Sequence, residues 1–126
     1  MALILMSRLK IYFSFMLNSN LPEPELLKTV LQPLLEDFKY WFGRSHSLLE
    51  NERISFLSTK EQSDLLARVR QAQQEVSTAQ MLFQATGNQV GIDIATLMPW
   101  HQLVTECWKV GMRFRSEHST EREKGM

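Results

Sequence analysis

Three histidines, one cysteine and fourteen acidic side chains are the groups in this 126-residue chain whose chemistry could build a catalytic or metal site. A di-iron or di-manganese centre in a helical bundle takes ligands from Glu-x-x-His pairs on two helices. None of His46, His101 or His118 has Glu or Asp three positions before it, so the sequence excludes that centre. Zinc needs clustered Cys and His, and the closest grouping is His101, Glu106 and Cys107. On a helix His101 and Cys107 stand about 120° apart in azimuth and about 9 Å apart along the axis, so they cannot share one ion without ligands from elsewhere. The same separation rules out a Cys-His nucleophilic pair, and no Gly-rich oxyanion loop accompanies it. Gly87 and Gly91 are followed by no Lys-Ser or Lys-Thr and preceded by no strand pattern, which leaves no phosphate loop. Cys107 therefore reads as a small buried hydrophobe. The expectation is a protein with no catalytic residue, no metal and no cofactor.

Aromatic residues are what remains. Trp100 and His101, with Trp108 two turns on, form a candidate ligand pocket in which the imidazole is the axial ligand of a tetrapyrrole beside a stacking ring. A lone His beside the first turn of a helix is more often a surface or capping residue, so this pocket is the second choice. Phe38, Tyr40, Trp41 and Phe42 make the segment around residue 40 apolar over most of a helical circumference. Two neighbouring helices cover only part of such a surface, so these four are the candidate partner interface. Most of the aromatic surface must still fill the core, since each ring buries roughly 150–250 Å².

The elements that position these residues are helical. Leu27, Leu31, Leu34, Phe38, Trp41 and Leu48 follow steps of three and four on one face, widened by Leu26, Val30, Leu35, Phe42 and Leu49. Pro22 and Pro24, with Glu23 and Glu25, favour an extended approach and then a helix start. The first helix is predicted near 24–50, with Pro33 expected to kink it or set apart a first turn. Ser58 and Glu61 fit a capping box opening a second helix near 59–86, with core positions Leu65, Val69, Ala72, Val76, Ala79 and Phe83 and a stop at Gly87-Asn88. Ala72 and Ala79 leave room for bulky partners such as Phe38 and Trp41. The glutamines of this helix, Gln62 and Gln73 among them, read as plain solvation. Residues 87–98 form a corner, and Pro99 is placed at the first position of a third helix near 98–116 whose face runs Trp100, Leu103, Val104, Cys107, Trp108, Gly111 and Met112. The fold class expected is all-α, an antiparallel three-helix bundle over 20–116. It is flanked by a mobile or loosely docked extension at 1–19 and a solvated tail at 117–126.

A 44% hydrophobic and 22% charged composition suits one soluble domain, and fourteen basic against fourteen acidic residues give no broad reason to expect nucleic acid or an anionic membrane as partner. Arg8 and Lys10 interrupt the apolar start, which is too short for a transmembrane span and lacks a signal-peptide cleavage site. Met16 offers an alternative start. The stretches LPEPELLKTVLQPLLEDF, QAQQEV and LMPWHQLVTECW resemble a small family of uncharacterised, mainly cyanobacterial proteins over residues 20–115. The resemblance implies a helical fold and a photosynthetic bacterial source, and assigns no catalytic residue. The function expected is a non-enzymatic interaction or regulatory module in the cytoplasm, acting as a homodimer or on a protein partner, with a pigment- or small-molecule-binding bundle as the alternative.

Overall fold

A computed structural model of the protein describes residues 7, 8, 10, 11, 24–87, 92 and 94–124, with the side chains of 24–28 and 120–124 outside that description. Among the described residues it has three long helices, α1 (Pro24–Asn51), α2 (Thr59–Ala85) and α3 (Ile94–Lys124), and no strand. Pro24 opens α1, where its missing N–H costs nothing because the first helical N–H groups have no intrahelical partner. Pro33 lies inside a helix that continues through it, so no separate first turn forms. At α2 both halves of the capping box are made: the Glu61 N–H donates to Ser58 Oγ at 3.0 Å, and the Ser58 N–H donates to Glu61 Oε1 at 2.8 Å. The helix ends at Thr86, and Gly87 follows at φ 67°, a backbone conformation that a Cβ disfavours.

Cross-helix contacts order the bundle. His46 meets Gln73 and Glu50 meets Arg70, so contacts step in opposite senses along α1 and α2. Phe38 meets Trp100 and Leu48 faces Gly111, so they step in the same sense along α1 and α3. Trp100 meets Glu75 and Arg68 meets Glu106, again in opposite senses between α2 and α3. Leu31, Leu34, Leu35, Phe38 and Phe42 of α1 are all fully buried, and Phe38 touches Phe42 at 6.0 Å and the Trp100 ring edge-on at 5.6 Å. On α2 the expected face is the observed one, with Leu65, Val69, Ala72, Val76 and Phe83 buried and Ala79 packed at its margin.

Helix α3 departs from expectation at both ends. It begins at Ile94, five residues before Pro99, which stands inside the helix and removes an intrahelical N–H. Such a proline costs about 3 kcal/mol, which the burial of Leu97 in the preceding turn, at about 1.5–3 kcal/mol, offsets in large part. The helix also continues through the charged segment to Lys124 instead of fraying after Phe114. Arg113 pairs with Glu117 one turn on, at 3.4 Å, and the α1–α2 connection grips the same stretch. There Ser55 donates to Glu117 at 3.2 Å, and the Arg113 guanidinium sits 4.2 Å from the centre of the Phe56 ring. These contacts support the helix as far as Glu117, through a segment that its own composition would leave marginal.

That connection is itself pinned from α2. Gln62 Nε2 donates to the carbonyls of Leu49 (2.9 Å) and Glu52 (2.7 Å), while its Oε1 accepts from the Ile54 N–H (3.0 Å) and Arg53 (2.7 Å). Gln62 is thus a fully engaged side chain and not part of a solvated glutamine face. Ile54, outside any helical pattern, is fully buried beneath it. Near the N-terminus residues 7, 8, 10 and 11 are helical, and Arg8 reaches α1 through the Pro33 carbonyl (3.3 Å) and the Asp37 carboxylate (2.6 Å). The remainder of residues 1–19, Met16 included, lies outside the described residues, as do Asn88 and Val90.

Candidate interaction site

Helix α1 rests mainly on α2, and this rotates its buried face toward Leu35 and Phe42. Trp41 and Leu48, expected at the centre of the stripe, come to lie on its shoulder and are only partly buried. Trp41, Arg44, Ser45 and Leu48 at helical spacing form one wall of a cleft of about 200 Å³. The facing wall is α3, through Val104, Cys107, Trp108, Gly111, Phe114 and Arg115. The floor is apolar and the rim carries two guanidinium groups.

Local contacts fix the rim. Arg44 donates to the Tyr40 hydroxyl at 3.3 Å, and its guanidinium lies 5.9 Å from the centres of both the Tyr40 and Trp41 rings, which meet edge-on at 5.3 Å. These cation–π contacts hold the charge at the mouth of the cleft. On the opposite wall Arg115 folds back over Gly111, where an added Cβ would stand 3.5 Å from its Nη1. Trp108 and Met112, expected in the third wall of the core, are 39% and 46% exposed, and Tyr40 is 50% exposed. An added Cβ at Gly43 would meet no described residue within 4 Å.

Cys107 lies at the back of the cleft. Burial pushes its thiol up to about 11, against a smaller opposite effect from the Ser45 hydroxyl. Burial therefore favours the protonated thiol at neutral pH, and the side chain packs against the core. Ser45 in turn donates to the Trp41 carbonyl at 2.9 Å. Among the described residues no group of three His, Cys, Asp or Glu side chains could hold a metal ion. His46 is engaged by Gln73 and Glu50, and His118 by the Phe114 carbonyl.

The residues singled out by sequence are redistributed. Of the candidate interface, Phe38, which already lies on the predicted apolar face, and Phe42 are fully buried within the chain. Tyr40 and Trp41 stay at the surface beside the cleft. Of the candidate pocket, only Trp108 lines the cleft. Trp100 is a core residue whose indole N–H donates to Glu75 at 3.1 Å, and His101 does not line the cleft with Trp108. The eight residues from Trp100 to Trp108 turn a helix by about 80°, enough to put one ring in the core and the other on a shoulder. Arg44 and Arg115 were missed. The Tyr40–Arg44 spacing of four, which stacks a guanidinium on a ring within one helix, was the signal available for the first. A wider and more open depression of about 670 Å³ lies over His46, Arg70, Gln73, Gln74, Ser77 and Thr78, with no aromatic side chain in its lining apart from the His46 ring.

Fold and site together define a three-helix protein with an aromatic cleft rimmed by guanidinium groups. The chain belongs to a family of proteins of unknown function, DUF2605, whose model matches residues 21–116. Neither a curated protein nor a solved structure matches it. Among the described residues, no helix is long and apolar enough to cross a membrane.

Proposed function

We propose that the protein is a non-enzymatic interaction or regulatory module, working in the cytoplasm, that binds a protein partner or a second copy of itself through the α1/α3 cleft. The observation that carries this reading is the convergence of Trp41, Trp108, Arg44 and Arg115 on one cleft flanked by exposed Tyr40. Trp, Tyr, Met and Arg are the residue types enriched at the centres of protein interfaces, where rings and guanidinium groups contribute most of the binding energy. Size also favours a protein over a pigment. Small-molecule sites occupy about 300–1,000 Å³, whereas about 200 Å³ suits one or two inserted side chains and is too small for a tetrapyrrole.

The test places a photo-crosslinking benzoylphenylalanine at Tyr40, beside the cleft, and in a second protein at Gln74 on α2 as control. Irradiation in an extract of the native cells should give a discrete adduct from position 40 alone, and Trp108→Glu in the same chain should suppress it. Twice the mass of the chain would identify a second copy as the partner. Equal labelling from positions 40 and 74 would refute a partner site here.

A further inference from the structure

Resting on that interaction reading, we infer that the cleft takes an acidic anchor, a segment of a different protein that inserts an apolar side chain between α1 and α3 and brings a carboxylate to Arg44 and Arg115. The pairing of charges across the bundle points to this. Arg8 is paired with Asp37, Arg68 with Glu106, Arg70 with Glu50 and Arg113 with Glu117, each within 4 Å. Arg53 is used on the carbonyls of Ile54 and Leu57 and on Gln62. Among the described residues, Arg44 and Arg115 have no carboxylate partner, and these are the two arginines that line the cleft. Asp37, Glu50, Glu106 and Glu117, the acidic residues on the two cleft helices that make ion pairs, are committed elsewhere.

Two guanidinium groups lining one cleft make its local potential positive and favour an anion there. Their planar forks match a carboxylate, and Arg44 is held in place by the Tyr40 hydroxyl and two rings, so little freedom is lost on binding. A second copy of this chain is a poor occupant. Twofold docking centred on the cleft would bring two pairs of arginines together with no acid opposite them. The whole chain carries no net charge, so no broad field draws an acidic segment, and the charge lining the cleft is this local pair.

The test uses the full chain and three sets of short capped peptides, in which Glu, Gln or Lys stands one helical turn from Leu, Phe or Trp. Free octanoate is included as a carboxylate with an apolar tail but no peptide. Binding is read by anisotropy of labelled peptides, by displacement for octanoate, and by the fluorescence of the protein's tryptophans. The Glu set should bind, weakening as salt rises, and should lose about tenfold or more in an Arg44→Glu, Arg115→Glu double variant whose helicity by circular dichroism is unchanged. The Lys set should bind that double variant and not the parent. Gln or Lys peptides that bind the parent as tightly as Glu peptides would overturn the acidic anchor while leaving the interaction module standing. Binding of octanoate without any peptide would overturn it in favour of a small-molecule site. Binding of no probe, or an adduct of twice the chain's mass in the crosslinking experiment, would also overturn it, and the absence of any adduct from position 40 would remove the interaction reading as well.

Discussion

Replacing Gln62 with Ala removes four hydrogen bonds at once, from a side chain that composition alone assigns to the solvent. Two of its partners, the Ile54 N–H and the Leu49 carbonyl, are partly buried, and Ile54 itself is fully buried. The other two, the Glu52 carbonyl and Arg53, are exposed and can turn to water. Leaving a buried backbone group without a partner costs about 1–3 kcal/mol, while an exposed bond contributes close to nothing. Two groups at the lower half of that range give an expected loss of about 2–4 kcal/mol, a large share of the roughly 5–15 kcal/mol that holds a domain folded. Urea unfolding followed by circular dichroism measures it, with Gln74→Ala on the exposed face of α2 as the reference at about 0.5 kcal/mol or less. Gln62→Glu should be at least as damaging at neutral pH, because a carboxylate keeps the acceptor but sets negative charge against the Leu49 and Glu52 carbonyls. A Gln62→Ala protein as stable as Gln74→Ala would refute the claim that this side chain pins the α1–α2 connection.

Three further outcomes follow from burial. Phe42→Ala should cost about 3–5 kcal/mol as a core deletion, whereas Trp108→Ser, at a ring 39% exposed, should lower the unfolding midpoint less while impairing binding. Ala72→Leu, at a position 4% exposed, should cost about 1–3 kcal/mol by overpacking, and an undiminished midpoint would show spare room opposite α2. The Cys107 thiol is raised from its ordinary 9.0 to about 11, so the folded protein holds its proton more tightly than the unfolded chain. The resulting stability is fully present below pH 9 and should be lost between about pH 9 and 11, by up to about 3 kcal/mol, as a difference between the parent and Cys107→Ala in parallel pH titrations.

Local chemistry made much of this protein legible. Ser58 and Glu61 announce the start of α2 because a capping box closes within four residues. The buried face of α2 is read directly from Leu65, Val69, Ala72, Val76 and Phe83 because helical period is a local property. Pro24 marks the beginning of α1 for the same kind of reason. Pro99 misled because its preference for a first turn is also local, and the burial of Leu97 overrode it from outside the segment. The charged end of α3 likewise looks marginal until Ser55 and Phe56 of a distant connection are laid against Glu117 and Arg113.

The sequence by itself determined that there would be three amphipathic helices and where two of them begin. Only the tertiary structure decided how far each helix turns about its axis. That rotation is set by the sum of contacts with two neighbours, and a shift of one residue's width moves a ring from core to surface. It buried Phe42 and Trp100, and left Trp41 and Trp108 facing each other across a cleft. It also chose which acids meet which arginines, through pairs such as Arg68–Glu106 that lie 38 residues apart in the chain. Arg44 and Arg115 became the rim of a site partly because Asp37, Glu50 and Glu106 were drawn to arginines distant along the chain, an outcome of three-dimensional distance.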